Sequence, residues 1–158
     1  MIKYFNPPIL VENKYICSHL RFAQMNIEDI PKVDPIGKII QFDNGLYVSA
    51  RSTRMRMFIE KQDYTCKVCG IKTSIATIEK AENDNSTDRP HMNFYALDEN
   101  MDEVLMTWDH NTPRSLGGSN GLKNAQCMCT ICNGLKGNNH TIDEVLEMRK
   151  EKNLVVHY

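Results

Sequence analysis

The chain has 158 residues, which is enough for one ordinary domain with an accessory segment. Hydrophobic residues make up 41% of it and charged residues 25%, a composition that excludes global disorder. No apolar run approaches the ~18 residues of a membrane span, and the N-terminus lacks the apolar core of a signal peptide. We therefore expect a cytoplasmic protein with no membrane partner, in which paired cysteines bind metal in preference to forming disulfides.

The formal net charge of −1 conceals a segregation of charge along the chain. Residues 51–72 carry six basic and two acidic side chains, and residues 109–140 carry three basic and one acidic. Residues 79–103 carry eight acidic and two basic side chains. The basic segments flank the paired cysteines, and they are as consistent with phosphate binding as with ordinary solvated charge. A nucleic-acid partner therefore stays open despite the neutral sum.

The N-terminal third of the chain carries two local patterns. Residues 1–36 are interrupted by four prolines, which predicts an irregular extension, with a short helix near 17–25. Two β-prone runs at 38–42 and 46–48 then flank the Asp-Asn-Gly sequence at 43–45. Because Asn-Gly between such runs favours a tight turn, we predict a β-hairpin here.

The middle of the chain predicts one helix and two strands. Ser52 can cap a helix whose apolar residues recur at helical spacing, and this helix would lead into Cys66. Residues 73–90 lack a regular pattern and contain a polar loop. The runs at 92–97 and 104–108 are typical of strands, and they are joined by an acidic turn.

The C-terminal third begins with a loop and ends with a helix. Residues 113–121 are rich in glycine and polar side chains, and a short strand is predicted at 125–128. Thr141 and Glu144 have the spacing of a capping box, with an amphipathic helix behind it that extends to about Lys152.

The cysteines form two Cys-x-x-Cys pairs that are far apart in the sequence: Cys66, Cys69, Cys129 and Cys132. Four thiolates at ~2.3 Å close the coordination sphere of one zinc ion, so this zinc would be structural. A thioredoxin-like redox role is the weaker alternative, because neither pair lies in a βαβ pattern. Cys17 and Cys127 remain outside the pairs, and we interpret both as small buried hydrophobic residues.

Asp109 and His110 end the predicted strand before the glycine-rich loop. Histidine is the natural side chain for removing a proton from water near neutral pH. An isolated Asp-His pair is nevertheless more often part of a surface turn. The surrounding pattern is more specific: Asp-His-x-x-Pro-x-x-x-Gly-Gly from Asp109, then Asn124, then Cys-x-x-Cys-Asn-x-x-Lys ending at Lys136.

This composite pattern resembles the HNH nuclease family, whose core is the ββα-metal (His-Me finger) fold. The basic helix that leads into Cys66 and Cys69 looks like that family's first zinc knuckle. The resemblance covers roughly residues 51–138, interrupted by an insertion, and is strongest to HNH proteins of phage genomes. A chain encoded by a phage would act in the cytoplasm of the host cell.

The resemblance implies a catalytic group and a metal pair. His110 would be the general base that activates water, and Asn124 would fix the loop that carries His110. Asp109 and Asn133 would hold a divalent metal ion. Many family members have histidine in place of Asn133, and the oxygen-only pair here favours Mg²⁺ or Mn²⁺.

The resemblance also implies contacts with nucleic acid. Lys136 would contact a phosphate near the metal ion, and Arg114 could do the same. The basic helix after Ser52 adds Arg54 and Arg56 as further candidates.

We therefore expect an α+β fold: a small zinc-stapled ββα-metal domain in residues 51–158, with an acidic insertion at about 73–103. Residues 1–50 would form an N-terminal extension that contains the hairpin. The implied activity is that of a metal-dependent DNA endonuclease with structural zinc and catalytic magnesium or manganese. The first alternative is a non-catalytic zinc-containing module that binds nucleic acid or protein. The second is an interaction protein, such as an inhibitor of host machinery, in which the nuclease core is a relic.

Overall fold

A computed structural model describes residues 1–13, 16–81 and 90–157, with backbone only for 3–13, 16–19 and 81. The fold is mixed α+β. The residues group into two compact units. The first unit comprises Met1–Arg51 and Thr73–Leu105, and the second comprises Ser52–Lys72 and Met106–Tyr158. Residues 73–103, predicted as an insertion in the C-terminal domain, thus group with the N-terminal segment.

The first unit consists of antiparallel strands. Its strands are β1 (Lys3–Asn13), β2 (Ile16–Asn26), β3 (Ile39–Gln41), β4 (Tyr47–Ser49), β5 (Thr73–Ala81) and β6 (His91–Leu97). The main sheet has the order β1-β2-β5-β6, and the start of β7 (Glu103–His110) pairs with β6. Strands β3 and β4 pair as a separate hairpin, which confirms the hairpin predicted around the Asn-Gly turn.

Three predictions for the first unit are wrong. The irregular extension predicted for residues 1–36 instead contains the paired strands β1 and β2. The helix predicted near 17–25 is strand β2, which pairs with β1 and β5. Alternate residues from Arg21 to Met25 are buried, and this period of two is that of a strand. Residues 73–81, predicted to have no regular structure, form β5. Because residues 75–79 are buried on both faces, the strand lacks the alternation that would have revealed it.

The interior of the first unit contains a buried ion network. Arg21 contacts Glu79 at 2.8 Å and Glu103 at 2.7 Å, and the Tyr95 hydroxyl donates to Glu79 at 2.8 Å. Burial disfavours the charged guanidinium, but the hydrogen bonds and charges of the two carboxylates outweigh it and raise the pKa of Arg21. The network therefore holds β2, β5, β6 and the start of β7 in register through polar contacts.

The second unit contains the cysteine pairs and three helices. Its elements are α1 (Thr53–Ile59), the end of β7, β8 (Ala125–Cys129), α2 (Thr130–Lys136) and α3 (Ile142–Glu151). Met106 to His110 of β7 pairs antiparallel with β8. Helix α1 packs on β8, and α3 packs on α2. Within the described ranges, no helix has the length and apolar character needed to cross a membrane.

Local sequence signals explain where helices α1 and α3 begin. The Ser52 hydroxyl accepts from the Met55 backbone nitrogen at 3.2 Å, which confirms the predicted cap of α1. Thr141 and Glu144 form the predicted capping box at the start of α3. The strands predicted at 92–97, 104–108 and 125–128 are also confirmed as β6, β7 and β8. The polar loop predicted at 83–90 lies outside the described residues except for Pro90.

Candidate metal centre and adjoining cleft

Four cysteine thiols converge in the second unit. The sulfurs of Cys66, Cys69, Cys129 and Cys132 all lie within 4.8 Å of one another, and all four residues are buried. The sulfurs of Cys69 and Cys129 are 3.8 Å apart. A tetrahedral zinc ion with Zn–S bonds of about 2.3 Å has an edge of about 3.8 Å. The four cysteines could therefore hold a structural metal such as zinc.

The first Cys-x-x-Cys turn follows α1 and depends on a glycine. The Gly70 backbone nitrogen donates to the Cys66 carbonyl at 3.0 Å, and its φ of +75° lies in the left-handed region. A Cβ on Gly70 would lie 1.9 Å from the carbonyl oxygen of His157. Glycine is therefore required both by the backbone conformation and by the close approach of the C-terminal segment.

The second turn joins β8 to α2. Cys129 caps α2, and its sulfur accepts from the Cys132 backbone nitrogen at 3.4 Å. Hydrogen bonds from the thiol of Cys129, and then from that of Cys132, lower the pKa of both Cys66 and Cys69. The pKa of Cys129 is raised by its hydrogen bonds with Cys132, Cys66 and Cys69. The pKa of Cys132 is also raised, because the lowering effect of Cys129 is outweighed by hydrogen bonds with Cys66 and Cys69. The pKa shifts therefore favour the metal-binding thiolate form at the first pair only.

Cys127 does not belong to this cluster. Its side chain is fully buried on β8, and burial, followed by the charge of Asp63, raises the pKa of its thiol. The structure thus agrees with its interpretation as a small buried hydrophobic residue. The side chain of Cys17 lies outside the described residues.

Arg149 of α3 is a neighbour of the cluster that the sequence did not reveal. Its Nη1 donates to the sulfur of Cys132 at 3.4 Å, its Nη2 donates to the Val155 carbonyl, and the side chain is 5% exposed. A zinc ion with four thiolates carries a net charge of −2, which a buried guanidinium offsets. The one signal in the sequence is that Arg149 lies on the apolar face of α3, in line with Ile142 and Val145.

A cleft of about 440 Å³ lies at the end of β7 in the same unit. Its lining residues are Asp109, His110, Pro113, Arg114, Ser115, Lys136 and Asn138. His110 is the last residue of β7, and its Nε2 lies 2.9 Å from the amide oxygen of Asn120. The His110 ring also packs against Trp108, with 4.6 Å between the ring centroids. The predicted base is therefore held in place at the edge of a polar cleft.

Asn124 connects the two ends of the loop that follows His110. Its amide oxygen accepts from the Thr112 backbone nitrogen at 2.9 Å, and its amide nitrogen donates to the Ser119 carbonyl at 2.8 Å. A Cβ on Gly118 would lie 1.8 Å from the Thr112 carbonyl oxygen, so the loop is also closely packed at that point. Asn124 thus joins the two ends of this loop through its side-chain amide.

One carboxylate oxygen of Asp109 accepts hydrogen bonds from two side chains. Its Oδ2 lies 3.0 Å from Lys136 Nζ and 2.9 Å from Gln126 Nε2. Gln126 is the cross-strand partner of Asp109 on β8, and its side chain is 2% exposed. Gln126 therefore orients the carboxylate, while the Lys136 ammonium neutralises it. Gln126 had no signal in the sequence, because its role depends on the register between β7 and β8.

Asn133 contacts the same face of β7. Its amide nitrogen donates to the Thr107 hydroxyl at 2.9 Å, and this hydroxyl donates to the Met128 carbonyl at 2.9 Å. Thr107 precedes Asp109 by two residues, so both side chains lie on one face of the strand. Asn133 is not among the described residues that line the cleft. Its nitrogen is held by Thr107, which leaves the amide oxygen as its potential ligand atom.

The candidate nucleic-acid contacts differ in their surroundings. Arg114 is exposed on the rim of the cleft, whereas Lys136 is 4% exposed. Arg56 forms two hydrogen bonds of 2.9 Å with Glu60 along α1, and these raise the pKa of its guanidinium. Arg54 lies half-buried on the same helix. Of these four candidates, the cleft brings together Lys136 and Arg114.

The two units differ in net charge. The sequence of the second unit contains eleven basic and seven acidic residues, a net charge of +4. The first unit contains eight basic and thirteen acidic residues, a net charge of −5. The unit that contains the cysteines and the cleft is therefore the one with a positive net charge.

Comparison with models of known families, with curated proteins and with solved structures found no match. The resemblance to HNH proteins thus rests on the residue pattern alone.

Proposed function

We propose that this chain is a metal-dependent endonuclease that hydrolyses phosphodiester bonds in DNA. The observation that carries the proposal is the placement of His110 at a polar cleft beside Asp109, with the cations Lys136 and Arg114 on its walls. A base, a carboxylate and phosphate-binding cations in one cleft are the components of metal-assisted phosphodiester hydrolysis.

The order of elements around the cleft supports the proposal. Strand β7 ends at His110, β8 follows and pairs with it, and α2 begins directly after Cys129 and carries Asn133. This is the strand–strand–helix order that the resemblance to a ββα-metal core implies. The cysteine cluster lies where β8 joins α2, so a structural zinc ion there would fix the helix relative to the hairpin.

The donor set fits a hard divalent cation. Asp109 offers a carboxylate and Asn133 an amide oxygen, and both are ligand types that Mg²⁺ and Mn²⁺ accept. The ammonium of Lys136, 3.0 Å from Asp109, shows that this carboxylate stabilises a positive charge. When bound, the ion would supply positive charge to the scissile phosphate and to the leaving oxygen.

The hydrogen bond of His110 defines which nitrogen can act as the base. An amide oxygen can only accept, so the Nε2 that faces Asn120 Oδ1 carries the proton. Nδ1 of the neutral ring then holds the free electron pair and removes a proton from water. Asn120 and Asn124 keep the ring and its loop in place, while Lys136 and Arg114 bind phosphate oxygens of the substrate.

The decisive experiment is cleavage of supercoiled plasmid DNA in the presence of Mg²⁺ or Mn²⁺. His110→Ala should reduce the rate by at least about a hundredfold, as expected for loss of a general base. His91→Ala, which removes an exposed histidine on β6 of the first unit, is the matched control and should cleave at the wild-type rate. Equal cleavage by the wild type and His110→Ala would refute the assignment.

A non-catalytic module remains the second candidate, and one observation favours it. Lys136 and Gln126 both donate to Asp109 Oδ2, so side chains of the protein alone satisfy this oxygen. Such a module would shift DNA in a gel and leave the plasmid intact with either ion. The same plasmid assay, run beside a binding assay, separates the two candidates.

A further inference from the structure

Lys136 and Asp109 form an ion pair that has little exposure to solvent. The ammonium lies 3.0 Å from Asp109 Oδ2, and the two side chains are 5% and 12% exposed. Gln126, buried on β8, donates to the same oxygen. A carboxylate with little exposure to solvent is costly unless it is paired, and the Lys136 ammonium is the counter-charge of Asp109.

A divalent cation on Asp109 changes this balance. Two cations cannot share one poorly solvated carboxylate without strong mutual repulsion. Lys136 is the last residue of α2, and the four-carbon stem of a lysine allows its ammonium to move. The cleft that Lys136 already lines also contains the polar residues Ser115 and Asn138, so an ammonium that leaves Asp109 has a polar destination.

We propose that a divalent ion displaces the Lys136 ammonium from Asp109, and that this displacement couples metal binding to substrate binding. Without a divalent ion, Lys136 neutralises Asp109, and when an ion binds Asp109 the Lys136 ammonium turns into the cleft and contacts a phosphate of the nucleic acid. The inference rests on the proposed function, because it assumes that Asp109 is a metal ligand. Coupling is reciprocal, so the nucleic acid tightens metal binding by the factor by which the metal tightens nucleic-acid binding.

The first test is Mn²⁺ binding, measured by electron paramagnetic resonance on the zinc-loaded full chain without DNA. Lys136→Met removes the competing ammonium and should tighten Mn²⁺ binding by about tenfold, within the usual range of protein couplings. Lys152→Met removes an exposed lysine just after α3 and should bind Mn²⁺ as the wild type does. Mn²⁺ binding by Lys136→Met that is equal to or weaker than wild type overturns the inference.

Mn²⁺ binding by Asp109→Asn shows whether the ion binds through Asp109. Together with the wild type and Lys136→Met, this variant distinguishes failure of the inference from failure of the proposed function. If neither the wild type nor Lys136→Met binds Mn²⁺, the metal site itself fails, and the inference fails with it. If the wild type binds Mn²⁺ through Asp109 but Lys136→Met binds it no more tightly, the endonuclease proposal stands and the inference alone is refuted.

A measurement on the wild type decides the question if Lys136→Met does not fold. Limited acetylation followed by peptide mass spectrometry reports the accessibility of each lysine amine. Lys136 should react slowly without a divalent ion and several-fold faster with Mg²⁺, while exposed Lys123 and Lys152 react equally in both conditions. Protection of Lys136 in both conditions would overturn the displacement.

Discussion

Replacing Arg149 with methionine should weaken the metal centre without touching a ligand. Arg149 Nη1 donates to the sulfur of Cys132 at 3.4 Å, and the side chain is 5% exposed, so solvent does not screen the interaction. A hydrogen bond to a charged partner contributes about 1.5–3 kcal/mol. We take about 2 kcal/mol, which is a factor of about 30 in the zinc dissociation constant.

The assay is competition for zinc with a chromogenic chelator, together with the melting temperature of the zinc-loaded protein. Arg149→Lys keeps the charge but loses the second donor to the Val155 carbonyl, and we expect it to fall between wild type and Arg149→Met. Lys150→Met, a charge loss at the exposed neighbouring position of α3, should leave zinc affinity unchanged. A folded Arg149→Met protein that holds zinc as tightly as the wild type would refute the reasoning.

Two further predictions concern the backbone at Gly70 and the positioning of the proposed general base His110. Gly70→Ala should destabilise the protein by at least about 1–2 kcal/mol in thermal unfolding, because φ is positive and the added Cβ meets His157. Gly134→Ala is the control, because Gly134 lies in a helix and nothing lies within 4 Å of the new Cβ. It should leave the melting temperature unchanged or raise it. Equal losses of stability in the two variants would contradict this account. Asn120→Ala removes the hydrogen bond that holds the His110 ring. It should lower kcat in plasmid cleavage by about tenfold with little change in KM. An unchanged kcat would exclude a positioning role for Asn120.

The sequence predicted those parts of the fold that have local causes. Ser52 and Thr141 mark helix starts because their hydroxyls satisfy backbone nitrogens a few residues away, whatever the rest of the chain does. The hairpin of β3 and β4 follows from its own turn. Strand β5 was missed because it is buried on both faces, and only its neighbours β2 and β6 make it a strand.

The candidate site likewise contains some residues that the sequence predicts and others that only the structure identifies. The cysteines and the pair Asp109 and His110 stand in a spaced pattern that the sequence displays. Gln126 and Arg149 act through contacts that depend on strand register and on the packing of α3 against α2, and the sequence reveals neither contact. Residues that orient a candidate ligand are therefore identified from the structure, whereas the candidate ligands themselves are identified from the sequence pattern.

The central claim is tested most directly by single-turnover cleavage of an end-labelled DNA duplex with and without Mg²⁺. We predict cutting that requires the ion, yields 5′-phosphate and 3′-hydroxyl ends, and falls at least about a hundredfold in His110→Ala. Intact duplex after incubation of the zinc-loaded wild type with either Mg²⁺ or Mn²⁺ would contradict the claim, and so would cutting at the wild-type rate by His110→Ala.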